Sequence, residues 1–275
     1  MTRKIQFVLI LSFLPLFGFT QINEDDIVYR TEKDIIYRNG EITEYMKERC
    51  KLDIYFPEEG KRFSTIIWFH GGGLKAGNKS IPETLKKEGI AIVAANYRFS
   101  PIVTSPAYIE DAAAATAWVF KNIEKYGGDK KKIFVSGHSA GGYLASMIGL
   151  DKSYLQSHGI DADSIAALIP FSGHAITHFT IRQERGLGSK EVVVDEFAPI
   201  HHIRKDAPPY IIITGDRELE LLGRYEENAY MYRMMKLVGH ENTVLHELDG
   251  FNHGQMANPA MYILRDYVKQ CDVKH

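Results

Sequence analysis

The stretch Gly137-His138-Ser139-Ala140-Gly141 decides how this chain is read. Lys131-Lys132-Ile133-Phe134-Val135-Ser136 precedes it and reads as a short buried strand, while residues 142–148 read as a helix. G-x-S-x-G between a strand and a helix is the setting of a nucleophile elbow, a strained turn that lifts a serine hydroxyl above the end of a sheet. Small flanking residues let that turn close without a clash. A five-residue pattern arises easily by chance, so it needs support from elsewhere in the chain. Two further motifs stand in the expected order: His70-Gly71-Gly72-Gly73 upstream and Gly250-Phe251-Asn252-His253-Gly254 downstream. Together the three imply nucleophilic catalysis by an activated serine.

Working outward, continuous apolar runs mark the central strands at 65–69, 90–95, 133–135, 166–169, 210–214 and 243–247. Alternation in Leu52-Asp53-Ile54-Tyr55-Phe56 suggests a half-exposed antiparallel strand before them. Helical patterns fall between, at 108–125, 141–150, 224–238 and 259–269. Strands alternating with helices predict an α/β fold with a mostly parallel sheet covered on both faces. Residues 171–209 break the rhythm. They carry Gly173, Gly186, Gly188, Pro199, Pro208 and Pro209 without a clean period, and so read as a cap or lid insertion.

The chain has 275 residues, 45% hydrophobic and 25% charged, which suits one large domain better than two small ones. A net charge of -2 with scattered basic residues argues against a nucleic-acid partner. At the amino end, Arg3 and Lys4 lead into an apolar run at 5–19 broken by Pro15 and Gly18. That pattern predicts a signal peptide over 1–20, a mature end at Gln21 and export to the periplasm or medium. The run is short for a bilayer span, so no membrane span is expected after cleavage. The remainder, 21–275, reads as a single domain. Cys50 and Cys271 are the only cysteines, and whether they pair is left open.

Ser139 is the candidate nucleophile. A serine hydroxyl is too weakly acidic to attack unaided and needs a base within hydrogen-bond reach. His253 is the best base, because it follows the last strand in a glycine-flanked loop that can reach back over the sheet. His138 lies close in sequence, but its side chain is expected to point elsewhere. His201-His202 superficially resembles a metal pair, yet adjacent side chains diverge and a loop role is preferred. Asp111 and Asp129 read as structural, and Trp68, Trp118 and Phe120 as core. The acid that holds the base should follow 210–214, in Gly215-Asp216-Arg217-Glu218-Leu219-Glu220. Asp216 and Glu218 are both reachable by spacing; Glu220 reads as part of the solvated segment beyond. The glycines after His70 leave backbone N–H groups uncovered, and with the Ala140 N–H they can face a developing oxyanion.

From Leu52 to Tyr267 the chain resembles bacterial α/β-hydrolase esterases of the feruloyl- and acetyl-esterase-like group, and more distantly hormone-sensitive-lipase-like carboxylesterases. The resemblance rests on Leu52-Asp53-Ile54-Tyr55, His70-Gly71-Gly72-Gly73, Asn96-Tyr97-Arg98, Tyr126-Gly127-Gly128-Asp129, Gly137-His138-Ser139-Ala140-Gly141-Gly142 and Ala207-Pro208-Pro209. It implies an α/β-hydrolase fold and oxyanion donors at Gly72, Gly73 and Ala140. It also implies an acid three residues after Gly215, which is Glu218 where the group more often has Asp. Asp216 is the alternative acid; otherwise it fixes the turn through its own backbone bonds. The expected activity is serine carboxylic-ester hydrolysis without metal or cofactor, on a small-molecule or carbohydrate ester carrying acetyl- or feruloyl-type groups. Competing readings on the same fold are an amidase or arylformamidase, an exopeptidase, and a non-catalytic binding protein.

Overall fold

Apolar runs become the interior strands of an eight-stranded sheet in the computed structural model, which describes residues 27–273. The expected leader over 1–20 lies outside the described residues. In chain order the strands are β1 (Tyr29–Ile36), β2 (Lys51–Pro57), β3 (Phe63–Phe69), β4 (Ala91–Ala95), β5 (Gly128–His138), β6 (Ala167–Phe171), β7 (Tyr210–Gly215) and β8 (Thr243–Leu248). Their spatial order is β1-β2-β4-β3-β5-β6-β7-β8. β1–β2 and β2–β4 pair antiparallel, and every other neighbour pair is parallel.

Parallel neighbours cannot be joined by a tight hairpin, so helices cross the sheet between them. In chain order the helices of the described residues are α1 (Glu44–Arg49), α2 (Ala107–Asn122), α3 (Ala140–Leu150), α4 (Lys152–Gln156), α5 (Phe179–Glu184), α6 (Arg224–Leu237) and α7 (Ala257–Val273), with α1 joining the antiparallel β1 and β2 and α7 following the last strand. Successive strand residues face opposite ways, which divides the core in two. Ile67, Val93 and Val135 pack with α2, α3 and α6 on one face, through Ala113, Leu144 and Met231. Ile66, Ile92 and Phe134 pack on the other against Leu264 and Val268 of α7. Cys50 belongs to the first core and Cys271 to the rim of the second, so no disulfide joins them.

β2 differs from its expectation of half exposure. It is buried on both faces, with Leu52, Ile54 and Phe56 in one core and Tyr55 in the other. Its polar member Asp53 is neutralised in place, accepting from Lys79 Nζ at 2.6 Å and from the Asp34 N–H at 2.8 Å. Alternation here reflected a satisfied buried carboxylate rather than a wet face. Segment 171–209 carries α5 and a short turn of helix at Pro199–His202. It is fastened to the body, for Tyr143 Oη donates to the Phe197 carbonyl at 2.8 Å.

Candidate active site

At the end of β5 the chain turns directly into α3, and Ser139 between them has φ 56° and ψ −113°. A non-glycine residue at such an angle costs on the order of 1–3 kcal/mol and persists only where surrounding packing over-determines it. Here the Ser139 N–H donates to the Phe171 carbonyl at 2.8 Å, tying the elbow to β6. Gly141 supplies the clearance, because a Cβ at that position would lie 2.0 Å from the Phe69 oxygen.

His253 stands in the loop between β8 and α7. Asn252 Oδ1 shapes that loop by accepting from the Gly254 and Gln255 N–H groups at 3.1 and 3.0 Å. The neighbour of the elbow serine takes part as well, contrary to the expectation that its side chain points away. The His138 ring lies 4.7 Å from that of His253, and its Nε2–H donates to the His253 carbonyl at 2.8 Å. Burial, with some repulsion from His253, lowers the His138 pKa to about 4. It is therefore a neutral donor that fixes the histidine loop over the elbow.

The carboxylate that meets His253 is neither of the two residues singled out by spacing. Glu220 Oε2 accepts from His253 Nδ1 at 2.8 Å, and its side chain is 1% exposed. Glu218, the expected acid, is exposed to solvent, and its own N–H is bound to Asp216 Oδ1 at 2.8 Å. The reason is the path of the chain after β7. The N–H groups of Leu219 and Glu220 both return to the Asp216 carbonyl, at 3.1 and 2.9 Å, so the backbone winds one helical turn. One such turn brings the residue four places after Asp216 back over the strand end, while the residue two places after it points outward. Asp216 fixes this turn, since its Oδ2 also accepts the Gly250 N–H at 2.8 Å. Glu220 Oε1 in turn accepts from Ser172 Oγ and from the Gly215 N–H. Burial alone would raise the Glu220 carboxyl, but the bonds from His253 and Ser172 outweigh it and hold the pKa at about 2. Ser172, which the sequence reading did not single out, sits just past β6 with φ 44°.

His70-Gly71-Gly72-Gly73 leaves β3 beside the elbow. A Cβ on Gly71 would lie 3.5 Å from Ser139 Cβ, which places this loop against the serine. Gly72 adopts φ 118°, and a side chain there would meet the Ala76 oxygen at 2.0 Å. His70 anchors the loop from beneath, with its ring stacked 4.5 Å from Tyr97 and Nδ1 bound to the Gly71 carbonyl at 2.6 Å. Ala140 opens α3, so its N–H has no acceptor within its own helix. The loop is also held from above by α5: Thr180 Oγ1 donates to the Gly73 carbonyl at 2.5 Å, and Phe179 packs on Gly73.

The remaining candidates are structural. His202 Nε2 donates to the Glu196 carbonyl at 2.8 Å, and no metal-holding cluster of His, Cys, Asp or Glu occurs among the described residues. Asp111 is fully buried in α2 and paired with Arg38 and Arg98. Asp129 binds Arg62 at 3.1 Å.

The chain is similar to several known proteins. The probable carboxylic ester hydrolase LipM of Mycobacterium tuberculosis is 31% identical over 169 residues, 53% of this chain and 39% of that protein. The chain spans about half or less of the length of such curated relatives. Among solved structures, a truncated carbohydrate esterase from gut microbiota superposes with a TM-score of 0.71 at 20% identity, covering 90% of this chain and 98% of that one. Esterase 2 of Thermogutta terrifontis, solved after phosphonylation by cyclosarin, gives a TM-score of 0.65 at 26% identity over 80% of this chain and 89% of that one. The fold is that of an α/β hydrolase, and with the BD-FAE family profile matching residues 52–221, this chain belongs to the BD-FAE family.

Proposed function

We propose that the chain is a serine carboxylic-ester hydrolase with Ser139 as nucleophile, His253 as base and Glu220 as the acid that orients it. The observation that carries this reading is the buried Glu220–His253 pair, held beside a strained serine elbow. Glu220 fixes the tautomer with the proton on Nδ1, leaving Nε2 to accept the serine proton. Ser139 Oγ then bonds to the ester carbonyl carbon, and the carbonyl oxygen takes the electron pair. The N–H groups of Gly72, Gly73 and Ala140 face that oxyanion; losing one such donor typically costs about 2.7–4 kcal/mol in the barrier. Collapse breaks the bond to the alcohol, which leaves with the proton from His253. Water, deprotonated by the same histidine, repeats the sequence on the acyl-enzyme and frees the acid. Phosphonylation of the Thermogutta esterase supports an activated nucleophile in this family of folds.

For the finer substrate, the resemblance favours acyl groups on carbohydrates, of acetyl or feruloyl type. The leader pattern at 1–20 favours export, which amino-terminal sequencing of the mature protein checks, Gln21 being the expected first residue. Catalysis is tested with p-nitrophenyl acetate and a fluorophosphonate probe. The wild type should show an acyl-enzyme burst and label, while Ser139→Ala and His253→Ala should lose both. Absence of burst and label in the wild type would leave a binding protein on a hydrolase fold.

A further inference from the structure

A cavity of about 260 Å³ lies between α5 and the loop that follows Glu220. Phe179 and Leu221 are among its apolar walls, and Arg182 and Arg224 among its polar ones. It adjoins the proposed catalytic groups on two sides: Phe179 packs on Gly73 of the oxyanion loop, and Leu221 directly follows the acid.

Both arginines are buried, each 3% exposed. Neither forms an ion pair with a carboxylate among the described residues, and each has an Nε–H without an acceptor. Their remaining bonds go to neutral groups. Arg182 Nη1 donates to the Glu191 carbonyl, Arg224 Nη1 to the Ser172 carbonyl, and Arg224 Nη2 to His174 Nε2 at 2.7 Å. Because His174 Nε2 accepts, its proton is on Nδ1, and that proton goes to Glu227 at 2.8 Å. Glu227 is the nearby acid, but it is already engaged, accepting the Ala175 N–H at 3.0 Å as well. No carboxylate side chain lines the cavity. Buried charges are normally paired, because an isolated one forfeits its hydration without return. Glu227 offsets part of both charges through space, and Glu220 part of that on Arg224, but neither guanidinium on this cavity has a carboxylate in direct contact.

Resting on the esterase reading above, we propose that this cavity binds a carboxylate carried by the ester substrate, with Arg182 as the main determinant of that preference. Arg224 also holds Ser172, and through it Glu220, so its replacement would disturb the acid. Arg182 has no such second duty. The carboxylate can belong to the acyl half, as in a dicarboxylic half-ester, or to the alcohol half, as in an acylated uronic acid. In either half the chemistry is the same, a planar anion meeting guanidinium N–H groups.

Hydrolysis by the wild-type protein is compared for monomethyl against dimethyl glutarate, and for O-acetylated methyl glucuronoside against the matching glucoside. At least one charged ester should be favoured by about tenfold or more in kcat/KM, the usual scale of a charge-assisted bond. The preferred pair names the half that carries the carboxylate. Arg182→Gln should drive that ratio towards one, and Arg182→Lys should retain part of it. A wild type that favours both neutral esters or discriminates in neither pair overturns the proposal, as does an Arg182→Gln protein that keeps the preference. Calorimetric titration of Ser139→Ala with the same four compounds separates this from the catalytic reading. Tighter binding of a charged ester without turnover in the wild type would sustain the cavity and sink the esterase. Equal binding within both pairs, with p-nitrophenyl acetate hydrolysed, would do the reverse.

Discussion

Glu220 is the residue on which sequence spacing and three-dimensional position part company. Its substitution by Gln removes the charge that stabilises an imidazolium on His253 and permits the wrong tautomer, so kcat should fall on the order of 10⁴-fold. Glu218→Gln, on an exposed side chain, should change kcat by less than about twofold. Steady-state kinetics on the two variants, with circular dichroism to confirm folding, decide between these positions. A stability signature accompanies the kinetic one. The folded-state pKa of Glu220 is lowered from 4.5 to about 2, so its contribution is present above pH 4.5 and is lost as pH falls towards 2. The Tm gap between wild type and Glu220→Gln should shrink across that window. Ser139 and His253 were legible as candidates because each follows a strand end marked by glycines. The carboxylate that meets His253 was not, since one helical turn at 216–220 decides which side chain faces the sheet, and that turn depends on Asp216 reaching Gly250 across the fold.

Among the elements, the interior strands were readable because burial on both faces leaves an unbroken apolar run. β1 was not, since its Thr31-Glu32-Lys33-Asp34 stretch carries no apolar period and the strand exists through its pairing with β2. Long-range polar contacts fix the helices in the same unannounced way. Asp111 in α2 accepts from Arg98, just past β4, at 2.7 Å and also binds Arg38 beyond β1. Removing one member of a buried charged cluster leaves the others uncompensated, at a cost of about 3–5 kcal/mol. Asp111→Ala should lose that much stability in urea denaturation. At the junction of β5 and α3, Gly141→Ala would push a methyl into the Phe69 carbonyl. Stability should fall by at least about 1–3 kcal/mol, with elbow geometry and kcat suffering in parallel.

Taken as one molecule, the protein buries an unusual set of neutral histidines around its site. Burial lowers the pKa of His70 and of His138 to about 4, and that of His174 and His178 well below the usual range. Unfolding frees all four to take up protons near their ordinary 6.5, so the unfolded chain binds more protons below that pH. Global stability should therefore decline as pH drops from 6.5 towards 4, well before Glu220 titrates. Urea midpoints measured at pH 7 and pH 5 check this, and equal midpoints would contradict it. At this scale, too, the contact of α5 with the oxyanion loop has a consequence. Thr180 and Phe179 belong to the 171–209 segment, yet they brace Gly73, a proposed oxyanion donor. On the proposed function, discrimination and speed are thus inherited together. A lineage that rewrites this segment to suit a new substrate must conserve its grip on the loop, or trade away turnover with the old specificity.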